Sequence, residues 1–232
     1  NWPDDYFSFY GELSYQMYMM KDWPYMILTD GTSHNFALNF QLSRSSIDNP
    51  IYTRRGSQFT LGLKITPPYS LIKGTTDAQY AQMTSSEKYN LLEYHKWRFS
   101  GKVFTPLSAD SKLVLMARAE FGYLGHYNKN AKSPFESFYM GGDGMSSYSS
   151  YSTEYISMRG YQSGSLTPYD PATGRNMGYV YNKFTMELRY PIALEQNATI
   201  WALAFVEAGN CFADIKDYNP FQLKRSAGVG VR

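Results

Sequence analysis

The sequence predicts an all-β fold, a transmembrane antiparallel β-barrel crossed by about eight of its strands. Three observations predict it. Apolar and polar residues alternate with period two in segment after segment, charges of both signs sit mid-way along the polar faces, and long and short connectors alternate along the chain. No apolar run reaches the roughly 18 residues of a membrane-spanning helix, which leaves strands as the only way across a bilayer.

The first alternating segment, Ser8–Met20, sets Phe9, Leu13, Tyr15, Met17 and Met19 against Ser8, Glu12, Ser14 and Gln16. His34–Arg44 opposes Phe36, Leu38, Phe40 and Leu42 to Ala37, Asn39, Gln41 and Ser43, and Ser57–Ile65 opposes Phe59, Leu61, Leu63 and Ile65 to Gln58, Thr60 and Lys64. Tyr94–Thr105 alternates Trp97, Phe99 and Val103 with Lys96, Arg98, Ser100 and Lys102. Lys112–Leu124 sets Leu113, Leu115, Ala117, Ala119 and Phe121 against Arg118 and Glu120. After a long polar segment, Tyr179–Pro191 alternates Phe184, Met186, Leu188 and Tyr190 with Lys183, Thr185, Glu187 and Arg189. Ala198–Asn210 is apolar nearly throughout, so its facing is ambiguous, and a last strand starts near Lys224. No segment reads convincingly as a helix.

Connectors of about 28 residues after Ile65 and more than about 50 between Gly125 and Gly178 contrast with about 7 at "PLSADSK" and about 8 at "PIALEQNA". Outer-membrane barrels show this asymmetry, with short periplasmic turns and long external loops. The connectors around Met20–Ser33 and Ser45–Gly56 are similar in length and do not assign a side. Alternation alone also fits a soluble sandwich or a lipocalin-like barrel. The charges within the polar faces and the Tyr, Trp and Phe near strand ends favour the membrane.

With 22 Lys and Arg against 20 Asp and Glu, the near-neutral chain gives no sign of a nucleic-acid partner. Cys211 is the single cysteine, so no internal disulfide or cysteine-based metal cluster is possible. His34, His95 and His126 lack metal-ligand spacing, and no nucleophile motif suggests an enzyme. Gly141–Gly144 reads as a tight turn rather than a phosphate or calcium loop, since neither a helix nor spaced carboxylates follow. The chain starts at Asn1 without a signal-type segment and stops inside a strand-like stretch, and is read as a fragment. Such a sheet would expose two edges, so independent folding is not expected.

The ordered segments "SPFESFYMGGDG", "MRGYQSG", "MELRYPI", "FVEAGNCFAD" and "LKRSAGVGVR" resemble the C-terminal barrel of the BamA family of outer-membrane assembly factors, within the bacterial surface-antigen superfamily. "SRSSIDNPIYTRRGSQFTLGLKITPP" and "KWRFSGKVFTPLSADSKLVLMARAEFGYLG" resemble strand pairs of the same barrel, so the likeness covers almost the whole chain. The long external loops look most like Bacteroidota versions. The resemblance implies a 16-stranded parent of which residues 1–232 form strands seven to fourteen of one barrel domain, lacking POTRA domains and closing strands. It further implies an outer-membrane insertase without cofactor, acting on unfolded outer-membrane proteins among lipids and accessory subunits. A secretion transporter or channel gated by the loop at 125–178 is the alternative.

The family's external Arg-Gly-aromatic motif is matched by Arg159, Gly160 and Tyr161, implying a loop folded into the lumen against wall carboxylates. Glu187 and Glu207 are the expected partners. A buried arginine needs such a partner, and a two-pronged contact on a carboxylate would fix its geometry. Glu187 shares the polar phase. An inward Glu207 also turns Phe205, Leu203 and Trp201 inward unless a bulge intervenes. Gly141 and Gly142 provide the loop turn, Gly160 permits a tight tip, and Tyr161 wedges on the wall. Against this stands a solvated Arg159, with Glu187 paired instead to Arg189 or Lys183. The Ser/Tyr-rich insert at 143–158 departs from the family pattern and leaves the loop's path open.

Overall fold

A computed structural model describes residues 4–22, 28–144, 153–171, 174–195 and 197–232. Eight long strands form one antiparallel sheet: β1 (Phe7–Met20), β2 (Gly31–Ser45), β3 (Gly56–Ile65), β4 (His95–Pro106), β5 (Val114–Gly125), β10 (Val180–Leu194), β11 (Thr199–Phe212) and β12 (Lys224–Val231). They lie in chain order, each hydrogen-bonded to the next, and the sheet is not closed on itself among the described residues. The connector between β5 and β10 carries β6 (Ser137–Met140), β7 (Thr153–Ile156), β8 (Tyr169–Asp170) and β9 (Arg175–Asn176).

The two faces differ as a barrel wall in lipid requires. Phe9, Leu13, Phe36, Leu42, Leu61, Trp97, Phe184, Met186, Val206 and Val229 all point outward and are exposed, up to 84% for Val229. On the inner face Lys96, Lys183, Thr185, Glu187 and Glu207 are buried. Burying those charges while exposing Leu and Phe would be unfavourable in water, and is the order expected where lipid is the outer solvent.

What buries the inner face is the long loop. Phe135, Phe138, Met140, Ile156 and Met158 pack with Leu92, Tyr94, Leu124, Tyr181 and Cys211 into one apolar cluster at the end of the sheet that the long loop enters. Each such side chain contributes roughly 1.5–3 kcal/mol when fully buried, enough to hold the loop inside. β6 and β7 pair in parallel, Phe138 opposite Glu154. At the other mouth the connector 46–55 folds beneath the sheet, with Tyr52 buried against Phe104, Val114 and Met116 and edge-on to Trp201. The Tyr52 hydroxyl donates to the Lys112 carbonyl at 2.9 Å.

Helices, which alternation does not reveal, correct one expectation. Between β3 and β4 lie α1 (Tyr69–Lys73), α2 (Asp77–Gln82) and α3 (Ser85–Lys88). Capping boxes explain the last two: Thr76 with Gln79, and Thr84 with Glu87, each satisfying two otherwise orphaned N–H groups. Residues 145–152 of the Ser/Tyr-rich insert lie outside the described residues.

Candidate functional site

β10 and β11 run side by side in unbroken register from Val180 opposite Phe212 to Pro191 opposite Trp201. That register sets Thr185 against Glu207 and Glu187 against Phe205, so the two carboxylates are diagonal neighbours on the inner face. They are 2% and 1% exposed.

Arg159 descends onto them from the loop. A single guanidinium nitrogen, Nη2, donates to Glu187 Oε1 at 2.9 Å and to Glu207 Oε1 at 2.8 Å. The Arg159 backbone N–H donates to Glu207 Oε2 at 2.8 Å. This differs from the expected two-pronged contact on one carboxylate. The guanidinium instead lies flat over Phe205, its Cζ 3.6 Å from the ring centroid, and spends one nitrogen on both acids. The second oxygen of Glu187 is already taken by Arg189 Nε and Nη2, at 2.9 and 2.6 Å.

No bulge is needed to turn Glu207 inward, because the register shift on β10–β11 lies between Pro191 and Ala193. Phe205, Leu203 and Trp201 face inward with it, and each has work there: under the guanidinium, in the core, and against Tyr52. Lys183 pairs with Glu207 at 3.2 Å rather than with Glu187, and donates to the Ser157 carbonyl at 2.6 Å. Both acids therefore bind two cations, one from the wall and Arg159 from the loop. Lys183's contact with Glu207 and the stacking of Phe205 were not anticipated. The spacing of Phe205 and Glu207, two residues apart on one face, was the available signal.

The rest of the motif also meets the wall. Gly160 has φ +84°, a left-handed conformation that glycine adopts without strain. The Tyr161 hydroxyl donates to the Arg225 carbonyl on β12 at 2.9 Å. Gly141 and Gly142 form a close backbone crossing: Gly141 N–H donates to Ile156 O and Gly142 N–H to Tyr161 O, both at 2.9 Å, while Met158 N–H donates back to Gly142 O at 2.8 Å. A Cβ on Gly141 would strike the Gln162 carbonyl. Between the site and the 46–55 connector remains a polar cavity of about 240 Å³, lined among others by Lys102, Arg118 and Arg232. His34 and His95 lie elsewhere, stacked or edged against tyrosines at strand ends.

An antiparallel wall, apolar outside, charged inside and filled by its own loop, defines an integral outer-membrane β-barrel protein. The chain belongs to the Omp85 superfamily, whose domain model matches residues 4–232. Comparison with curated proteins returns no match. Among solved structures, a crystal structure of BamA from Haemophilus ducreyi lacking POTRA domains 1–3 is similar in fold, with TM-score 0.64 and 17% identity. The match covers 99% of this chain and 45% of that one, so the chain spans under half the length of that relative.

Proposed function

We propose that the intact protein folds and inserts β-barrel proteins into the outer membrane, with Arg159, Gly160 and Tyr161 as the latch that holds the long loop in the lumen. Its clients are unfolded outer-membrane proteins, met at the lipid boundary and assisted by accessory subunits. A strand offered by β-augmentation would template each client, with no nucleotide or cofactor.

The observation that carries this reading is the occupied inner face: the long loop packs a buried apolar core against the wall and ties itself to Glu187 and Glu207 by ion pairs. That arrangement suits an assembly wall better than a steady pore. The likeness to a BamA barrel supports the same reading.

The test uses the intact protein in liposomes, following the folding rate of a urea-unfolded outer-membrane barrel against empty liposomes, with ion conductance on the same preparation. Accelerated folding with little steady conductance is expected. Large steady conductance without acceleration would make the protein a channel and Arg159 its gate.

A further inference from the structure

The loop meets a second stretch of the wall, β3–β4, with the opposite charge. Glu136, just before β6, takes Lys64 on one carboxylate oxygen at 2.6 Å and Lys96 on the other at 2.9 Å. Glu154, on β7, pairs with the same Lys96 and with Arg98, both at 2.8 Å. The three cations come from β3 and β4, and both acids come from the loop.

Three features show that this contact is built rather than incidental. Lys64 and Lys96 stand directly opposite each other across the β3–β4 ladder, a like-charge pairing that disfavours the sheet until an anion bridges it. Lys96 is only 4% exposed, so it cannot rely on water. Glu136 also adopts φ +68°, a left-handed conformation costly for a residue with a Cβ, held where its carboxylate reaches both lysines.

The acids are mechanically joined to the arginine. β6 and β7 are paired along their length, and the backbone bonds of Gly141 and Gly142 continue that pairing to residues 156–161. Arg159 is thus one end of a small rigid plate whose other end carries Glu136 and Glu154.

We propose that Glu136 and Glu154 are positioning residues, a second clasp that fixes the plate to β3–β4 and so sets Arg159 between Glu187 and Glu207. The loop is a strut with a cation at one end and anions at the other, bracing two stretches of one sheet on either side of β5. This rests on the reading of Arg159 as the latch.

The experiment reads latch position in the intact membrane-embedded protein through a disulfide, Gly160→Cys with Ser226→Cys. A Cβ built on Gly160 lies 3.3 Å from the Ser226 Cβ, close to the separation a disulfide spans. The reporter is first read with all other residues unchanged. Because a cysteine is strained at the φ of +84° that Gly160 holds, docking is also read with Gly160 intact, from hydrogen exchange of the Arg159 amide that donates to Glu207 Oε2. Free exchange there would overturn the docked latch itself, and the clasp with it. Should the strained cysteine not crosslink, the same exchange rate replaces the crosslinking rate below. In the crosslinking background, Glu136→Gln with Glu154→Gln is expected to slow the reaction about tenfold or more, the scale of losing a partly buried tether. Lys64→Met with Lys96→Met is then added, which removes the uncompensated cations and restores a foldable wall without restoring the clasp. A folded barrel that still crosslinks slowly supports positioning. Recovery of the rate would show that only stranded lysines mattered and would overturn the proposal, as would an unchanged rate in the Gln pair. Should the Gln pair not fold, the fourfold variant alone decides, by the same criterion.

Discussion

Arg159 makes both its side-chain ion pairs through one nitrogen, and a lysine also offers one nitrogen. Arg159→Lys can therefore keep contact with Glu187 and Glu207, and what it must lose is the flat contact on Phe205, at 3.6 Å. A cation over an aromatic face contributes about 0.5–1 kcal/mol in water and about 2 when desolvated. With the arginine side chain 17% exposed, the contribution here falls near the upper part of that range. A double-mutant cycle of Arg159→Lys with Phe205→Leu should give a coupling of about 1–2 kcal/mol, roughly 5- to 30-fold in the docked-to-undocked ratio. Arg159→Ala, which strips both acids of their loop cation, should cost about 3–5 kcal/mol. The readout is hydrogen exchange of the backbone amide of residue 159 in the intact protein, since that N–H is present whichever of these side chains stands there and is protected by Glu207 Oε2 only while the loop is docked. A coupling below about 0.5 kcal/mol would refute the stacking argument and return the arginine's role to charge alone.

Glu207→Gln should be more damaging than Glu187→Gln. It leaves Lys183, 2% exposed, without its ion pair, a loss of about 3–5 kcal/mol visible as a lower unfolding temperature of the barrel on heated gels. Gly141→Ala should open the loop tip, because its φ of +133° and the Gln162 carbonyl leave no place for a methyl group; faster proteolysis between residues 141 and 162 would register it. Acid should loosen the clasp before the sheet. Burial alone would raise Glu136, but Lys96 and Lys64 outweigh it and hold its carboxyl at about 2, against an ordinary value of 4.5. A depressed carboxyl contributes its stability above its unfolded value and loses it as pH falls toward the folded one. About 3 kcal/mol of loop docking should therefore disappear between about pH 4.5 and 2, with Glu136→Gln flattening the transition in an exchange titration.

The strands and their facing were legible because period two is a local property, and lipid on one side with charge on the other makes it emphatic. Glu187 was legible for the same reason. Glu207 was harder because β11 reverses the usual economy: Ala204 and Val206 face outward, while Phe205 and Leu203 serve the interior. Apolar residues on both faces erase the alternation that would have oriented it. The helices between β3 and β4 span 4 to 6 residues, too short for helical periodicity, although "TTDAQ" and "TSSEK" carry their caps in plain view. The contacts of Glu136 and Glu154 were beyond reach, since Lys64 and Glu136 are 72 positions apart and only the folded loop brings them together.

The two ends of the strut also differ in time. Its acids meet Lys64, Lys96 and Arg98, all earlier in the chain, whereas Arg159 waits for Glu187 and Glu207, 28 and 48 positions later. A chain delivered from its N-terminus could seat the anionic end on β3–β4 while β10 and β11 are still unmade. Closing the later contact would then cost less entropy, because the arginine is already held near where its partners must arrive. The loop would in this way serve as a scaffold for strands made after it, and the arrival of Glu207 would mark the moment at which the latch can close.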